Sequence, residues 1–146
     1  MPDNPNQNTP AIPEMKLELI PVPVSDVDRA IAFYTEKCGF HLDVDVQPIP
    51  TMRVVQFTPP GSACSIVSGT GMPGISDMQP GSVKGLHLVV NNIQQSRQAL
   101  VSRGLAVGDI TDMQGVKYAD FSDPDGNLWL LQEFPPELRQ PGQSFT

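Results

Sequence analysis

Two histidines and two cysteines are the side chains of this chain best suited to acid–base, nucleophilic or metal chemistry. An imidazole can move a proton near neutral pH or bind a metal, but one imidazole alone cannot hold zinc or iron. The sequence provides no evident partner to orient His87 as a general base, and His41 belongs to a different predicted strand. Cys38 and Cys64 lack the paired spacing of a metal site, so we interpret both as buried free thiols.

The chain is acidic: 9 basic and 16 acidic residues give a formal net charge of -7. Without a basic cluster we exclude a nucleic-acid partner, because phosphate binding needs concentrated positive charge. An acidic surface favours cationic ligands or simply keeps the protein in solution. No apolar run approaches the roughly 18 residues of a membrane span, and the first residues lack a secretory signal pattern. We therefore expect a cytoplasmic protein that does not bind membranes.

The elements that must position these side chains follow the order strand, helix, strand, strand, strand. Period-two alternation of apolar residues marks the strands. Ser25 or Asp26 can cap the helix, and Gly39 suits a left-handed helix stop. The predicted elements of the first half are a strand over 16–24, a helix over 26–38, and strands over 40–46, 52–57 and 63–68.

The second half of the chain repeats this order at a nearly constant offset. Val24 and Val90 are 66 positions apart, and Gly39 and Gly104 are 65 apart. Because strand, cap, helix stop and hairpin turn all recur in order, we infer an internal duplication. The predicted elements of this half are a strand over 85–90, a helix over 93–103, and strands over 106–110, 116–121 and 128–134.

The duplication predicts an α+β fold of two tandem βαβββ modules. Each module is a curved mixed sheet with a helix packed on its outer face, and the pair of half-barrels forms a cup. The linker between the modules is rich in Gly, Pro, Ser and Met, and is a passive connector or a flap over the cup. The predicted divisions are an extended arm at 1–14, modules at 15–68 and 84–134, the linker at 69–83 and a tail at 135–146.

Several short motifs resemble the vicinal-oxygen-chelate superfamily, which contains glyoxalase I, extradiol dioxygenases, and fosfomycin- and bleomycin-resistance proteins. The resemblance covers roughly residues 15–134, and it is strong because the motifs keep their order around the duplication. It implies a glyoxalase-like fold, and an activity that the fold alone does not settle. The motifs are Val24-Ser25-Asp26-Val27-Asp28-Arg29-Ala30, Phe33-Tyr34, Gly39-Phe40 and Asp123-Pro124-Asp125-Gly126-Asn127.

The resemblance also implies four positions for metal ligands, two in the first strands and two in the last strands of the modules. In this chain those positions hold Leu19, Gly85, Ser65 and Leu130. Leucine and glycine offer no side-chain donor, and one serine hydroxyl is a poor ligand for a divalent ion. We therefore predict no metal and no other cofactor. Only a one-residue error in register, which would turn Glu18 and Glu133 inward, restores a metal site.

Alternation along the strands predicts a mostly apolar cup with a few separate polar groups, as in a general binding pocket. His87 is interpreted as an acid–base catalyst, a hydrogen-bonding group for the ligand, or a satisfied core histidine. Tyr118 can face either side of its strand, and Trp129 is expected to pack in the core. The predicted ligand-binding residues are Leu19, Pro21, Pro23, Ser65, Val67, His87, Val89, Tyr118, Leu128, Leu130 and Gln132.

Three functions are compatible with this sequence. The first is a metal-independent protein that sequesters a largely apolar or aromatic small molecule, as bleomycin-resistance relatives do. The second is a lyase, isomerase or dioxygenase-like enzyme that uses His87 or an unrecognised divalent metal. The third is an accessory protein whose cup is filled by its own side chains. In each case the open sheet edges favour a homodimer.

Overall fold

The computed structural model describes residues 8–139 and contains two four-stranded mixed sheets, each accompanied by one helix. The predicted α+β fold of two tandem βαβββ modules is confirmed. The first sheet has the strand order β1-β4-β3-β2, with β1 (Leu19–Pro21), β2 (His41–Ile49), β3 (Met52–Thr58) and β4 (Ser65–Thr70). The second has the order β5-β8-β7-β6, with β5 (Lys84–Val89), β6 (Thr111–Met113), β7 (Val116–Ser122) and β8 (Leu128–Glu133).

The two helices begin and end at equivalent residues of the duplication. Helix α1 (Val27–Ala32) continues as a π-helical turn (Phe33–Lys37), and α2 spans Ile93–Ser102. Asp26 caps α1 by accepting a bond from the Arg29 amide, and Asn92 caps α2 by accepting one from the Gln95 amide. The chain leaves both helices through a glycine in the left-handed region, Gly39 at φ 73° and Gly104 at φ 88°. None of the helices in the described part of the chain is long and apolar enough to span a membrane.

One hydrophobic core joins the two modules. The ring of Tyr34 lies 5.3 Å from the ring of Phe57 in the first sheet and 5.8 Å from that of Trp129 in the second. The helix-side residues of both sheets therefore pack into the same core. It follows that the opposite, concave faces of the two sheets point away from each other, each as an open half-cup.

The prediction of a strand over 106–110 is wrong, because β6 forms further along the chain, at Thr111–Met113. Leu105 and Val107 are buried in the core. The Arg97 guanidinium donates to the carbonyls of Val107 and Gly108 at 3.0 and 2.7 Å. These contacts bind two carbonyls of the segment to helix α2, and although the Gly108 amide donates to the Asp120 carbonyl of β7 at 2.8 Å, the segment does not form a strand.

The first strand is also shorter than its alternation predicts: β1 keeps only Leu19–Pro21 of residues 16–24. Pro21 and Pro23 have no N–H to donate to a ladder. After Pro21 the backbone turns toward the second module, since the Pro23 carbonyl accepts bonds from the Gly81 amide and the Asn127 side chain.

The structure describes part of each end of the chain. Residues 8–18 of the N-terminal side are exposed, while residues 1–7 of the predicted arm lie outside the described part. In the part of the predicted tail that the structure describes, Pro136–Leu138 forms a 3-10 turn, and Arg139 bonds to Asn91 and to the Phe134 carbonyl. Residues 140–146 of that tail lie outside the described part.

Candidate functional site

The concave face of the first sheet, called the first wall below, contains four of the predicted ligand-binding residues. Leu19 pairs with Ser65, and Pro21 pairs with Val67 across the parallel strands β1 and β4. Leu19 is 38% exposed, whereas Ser65 and Val67 are buried. Pro23 is not part of this wall, because it is buried past the end of β1, at the joint between the modules.

The register of β2 changes the first wall in a way that the alternation of its sequence does not predict. A β-bulge lies between Leu42, which pairs with core Phe57, and Val44, which pairs with Gln56. Because of the extra residue, the strict alternation expected over 40–46 is wrong. The shift places Val44 on the first wall and Asp45 on the helix side, while Asp43 stays on the face of His41 and bonds to Thr58 of the first wall.

Asp43 is the centre of a polar strip across the first wall. One carboxylate oxygen accepts a bond from the Thr58 hydroxyl, and the other lies 2.7 Å from His41 Nδ1. The Thr58 hydroxyl oxygen lies 2.6 Å from the Ser65 hydroxyl oxygen. The hydrogen bond from Thr58, and after it the one from His41, lowers the pKa of Asp43, because both favour the ionised carboxylate. Below, "the Asp43 strip" means His41, Asp43, Thr58 and Ser65.

The sequence alone offered little that could have identified this strip. Asp43 and Thr58 are 15 positions apart, and their contact depends on the β2–β3 register, which pairs His41 with Thr58. The one available signal is the cluster of polar residues His41, Asp43 and Asp45 in a strand that must also bury apolar side chains. Asp45 proves to be different, since it pairs with Arg53 on the helix side of the sheet.

The second wall is the concave face of the second sheet. His87 and Val89 of β5 pair with Leu130 and Gln132 of β8, and Tyr118 of β7 pairs with Gln132. All of the residues predicted for the second module therefore share this face. Asp120 lies there too, opposite Leu130, although it was not predicted.

The polar groups of the second wall are connected to one another. The imidazole ring of His87 meets the ring of Tyr118 edge-on at 6.2 Å, and Gln132 Nε2 donates to the Tyr118 hydroxyl at 3.1 Å. His87 Nδ1 lies 2.6 Å from the Gly85 carbonyl oxygen and therefore carries a proton. When the ring is neutral, its Nε2 is then an acceptor. A cavity of about 180 Å³ lies beside Tyr118, Leu128 and Leu130.

The side chains at the four positions of the family's metal ligands do not fit a divalent metal. Leu19, Gly85 and Leu130 have no donor, and the Ser65 hydroxyl is already bonded to Thr58. Glu133 faces the helix side, where its carboxylate accepts a bond from the Ile93 amide at 2.8 Å. Alternation from Leu19 directs Glu18 to the face opposite the first wall. Within residues 8–139 no three His, Cys, Asp or Glu side chains are grouped as a metal site requires.

A larger groove, of about 800 Å³, follows the free edge of β5. It lies between α2 and the β3–β4 turn at residues 59–62, over an apolar floor that includes Phe40, Leu88 and Leu131. Cys38 also lines the groove, and burial raises the pKa of its thiol to about 12. Neither this groove nor the smaller cavity brings Leu19 or Ser65 of the first wall together with Leu130 of the second.

Comparison with known proteins identifies similar sequences and folds. The sequence model of the Glyoxalase/Bleomycin resistance protein/Dioxygenase superfamily matches residues 16–131. TnmS3, an antibiotic binding protein from Streptomyces sp. CB03234, is 34% identical with a TM-score of 0.74, over 86% of this chain and 100% of that one. A glyoxalase/bleomycin resistance protein from the same organism is 38% identical with a TM-score of 0.67, over 80% and 98%.

A third similar structure is a member of the same superfamily from Sphaerobacter thermophilus DSM 20745. It is 30% identical with a TM-score of 0.71, over 82% of this chain and 98% of that one. None of the curated proteins compared with the chain matches it.

Proposed function

Because this chain belongs to the Glyoxalase/Bleomycin resistance protein/Dioxygenase superfamily, we propose that it binds and sequesters a largely apolar or aromatic small molecule without a metal. The observation that carries the proposal is the chemistry of the four ligand positions. Leu19, Gly85 and Leu130 can contact an apolar ligand but cannot coordinate an ion. The antibiotic binding recorded for TnmS3 supports the same function.

The proposed cup is completed by a second copy of the chain. The two walls lie on opposite sides of one shared core, so a single chain offers two half-cups. In a two-fold dimer the first wall of one protomer faces the second wall of its partner, which makes two equal cups. The outer edges of β1 and β5 are unpaired. Exposed Leu17, Leu19 and Val89 flank these edges, and a partner would cover them.

Calorimetric titration of a chemically varied panel of aromatic compounds tests this function. We expect one compound per cup, with an affinity that is unchanged after dialysis against a metal chelator. Leu130→Lys places a charge on the second wall and should weaken binding by at least about tenfold, because a buried unpaired charge is costly. Leu138→Lys, at a 58% exposed position on the 3-10 turn, is the matched control.

Two results would contradict the proposal. One is the absence of binding across the whole panel, and the other is binding that the chelator abolishes and zinc or iron restores. Light scattering on the eluting protein tests the dimer separately. A monomer at every concentration that still binds with full affinity would rule out a cup shared between two copies.

A second candidate is an acid–base enzyme, and one contact favours it. His41 has the orienting carboxylate that His87 lacks, since Asp43 lies 2.7 Å from its Nδ1. Mass spectrometry of a bound compound after long incubation discriminates the two functions. A compound recovered unchanged supports sequestration, whereas conversion that disappears in His41→Ala supports the enzyme.

A further inference from the structure

We propose that the ligand presents a hydrogen-bond donor, such as a phenol, an alcohol or an ammonium group, to Asp43 on the first wall. This inference rests on the proposed binding function and specifies the chemistry of its ligand. It follows from the direction of the hydrogen bonds in the Asp43 strip, which leaves acceptor atoms to face the cup.

The ionised Asp43 carboxylate sets this direction. A carboxylate can only accept hydrogen bonds, so the Thr58 hydroxyl must give its single proton to Asp43. The Thr58 oxygen can then only accept, so in its 2.6 Å contact with Ser65 the serine hydroxyl is the donor. Both hydroxyl protons therefore point along the strip toward Asp43, and neither is available to a ligand.

The exposed end of the strip, at His41 and Asp43, also presents hydrogen-bond acceptors. Asp43 lies 2.7 Å from His41 Nδ1, which places the imidazole proton between them and leaves His41 Nε2 as an acceptor when the ring is neutral. The side chain of Asp43 is 25% exposed and that of His41 is 79% exposed, whereas Ser65 is buried. A ligand therefore meets the Asp43 carboxylate, while Thr58 and Ser65 hold that carboxylate in place.

Within residues 8–139 no lysine or arginine forms an ion pair with Asp43. Arg53, the basic residue of the neighbouring strand, bonds Asp45 and Asp28 on the helix side of the sheet. The carboxylate has about four lone-pair positions, of which the bonds from His41 and Thr58 and a weaker one from the Gln56 side chain take three. Asp43 can therefore accept a hydrogen bond from a ligand. A ligand with only acceptor atoms at this point would be repelled by the carboxylate oxygens.

Three naphthalenes of similar shape test the inference by calorimetry: 2-naphthol, 2-methoxynaphthalene and 2-naphthylmethylamine. The first offers a neutral donor, the second only an acceptor, and the third a cationic donor. We expect the wild-type protein to bind at least one of the two donors about tenfold more tightly than the methoxy compound, as one charge-assisted hydrogen bond provides. The tighter of the two donors identifies whether the ligand is neutral or cationic.

Asp43→Asn places an amide donor in the strip and should bring the donor-to-methoxy ratio close to one. Asp45→Asn is the matched control, since it removes the same charge one position beyond Val44 but on the opposite face, and it should keep the ratio. Circular dichroism establishes that both variants are folded.

The outcomes separate this inference from the function on which it rests. If none of the naphthalenes binds, the proposed binding of aromatic ligands fails, and the inference with it. If all three bind with equal affinity, or if Asp43→Asn keeps the wild-type ratio, binding stands and the inference is wrong.

Discussion

Two aspartates organise hydrogen-bond networks in this protein, one between the modules and one on the first wall. Asp123 belongs to the second hairpin turn and is 5% exposed. It accepts bonds from the Tyr34 hydroxyl at 2.7 Å and from the Asn127 side chain at 2.8 Å, besides the amides of Asp125 and Asn127. Asp43 has fewer donors and opens toward solvent.

The difference separates a network that serves structure from one that, in our proposal, serves recognition. Around Asp123 every donor belongs to the protein, and the network extends from the Trp129 indole through Tyr34 to the turn. Burial, followed by the charge of Asp123, raises the pKa of Tyr34 above its usual range, so the phenol stays a donor. A saturated network of this kind fixes the two modules to each other, whereas the Asp43 strip keeps acceptor capacity for another molecule.

The largest effect should come from breaking the saturated network. Asp123→Ala leaves the Tyr34 hydroxyl and one of the two Asn127 side-chain N–H groups buried without an acceptor, so we expect the free energy of unfolding to fall by about 3 kcal/mol. Asp43→Ala should change it by less than about 1 kcal/mol, because its partners can turn to water. Urea denaturation of both variants measures the two values. Equal losses would contradict the distinction between the two networks.

The reactivity of the two cysteines should reflect the same contrast between the buried network and the open first wall. Cys38 is buried near Asp123, and burial, with a further contribution from that carboxylate, raises its pKa to about 12. Cys64 is only partly buried and precedes Ser65 of the first wall. With a thiol reagent at pH 8 we expect one thiol to react in the native protein and the second only on unfolding. Cys64→Ser should abolish the fast reaction, and a fast reaction that persists would refute this assignment.

The smallest effect is a shift in the titration of Asp43. Thr58→Val removes the main cause of its lowered pKa and should raise that pKa toward the ordinary value, while Thr58→Ser should restore the lowering. Nuclear magnetic resonance of the Asp43 carboxyl measures both. Because the folded-state pKa lies below the unfolded one, this stabilisation is full above the unfolded pKa, near 3.9, and is lost as the pH falls through the folded value. An unchanged Asp43 pKa in Thr58→Val would show that Thr58 does not hold the carboxylate.

Much of the fold could be predicted because its signals are local and occur twice. The side chains of Asp26 and Asn92 cap the helices by accepting backbone hydrogen bonds. Gly39 and Gly104 end them, because glycine readily adopts the left-handed conformation found there. The common face of Leu19 and Ser65 could also be predicted, since side chains two apart on a strand share a face. The pairing of Leu19 with Ser65 is consistent with that expectation.

Other features could not be predicted because they depend on contacts distant in the chain. The residues of the turn at Asp123 bond Tyr34, Pro23 and Ser25 of the first module, about 90 to 100 positions earlier in the chain. The segment 106–110 does not form the expected strand, because Arg97 binds two of its carbonyls, and the position of Arg97 depends on how α2 packs.

The sequence by itself determined the two modules, their helix caps and the absence of chelating side chains at Leu19, Gly85 and Leu130, because those properties depend on residue type and short-range spacing. Only the tertiary structure decided that the helix sides of both sheets share one core, and that a bulge in β2 places Val44 on the first wall and Asp45 on the helix side. The physical reason is that strand register is set by packing and by hydrogen bonds between segments far apart in the chain, and a shift of one residue reverses the face on which a side chain lies.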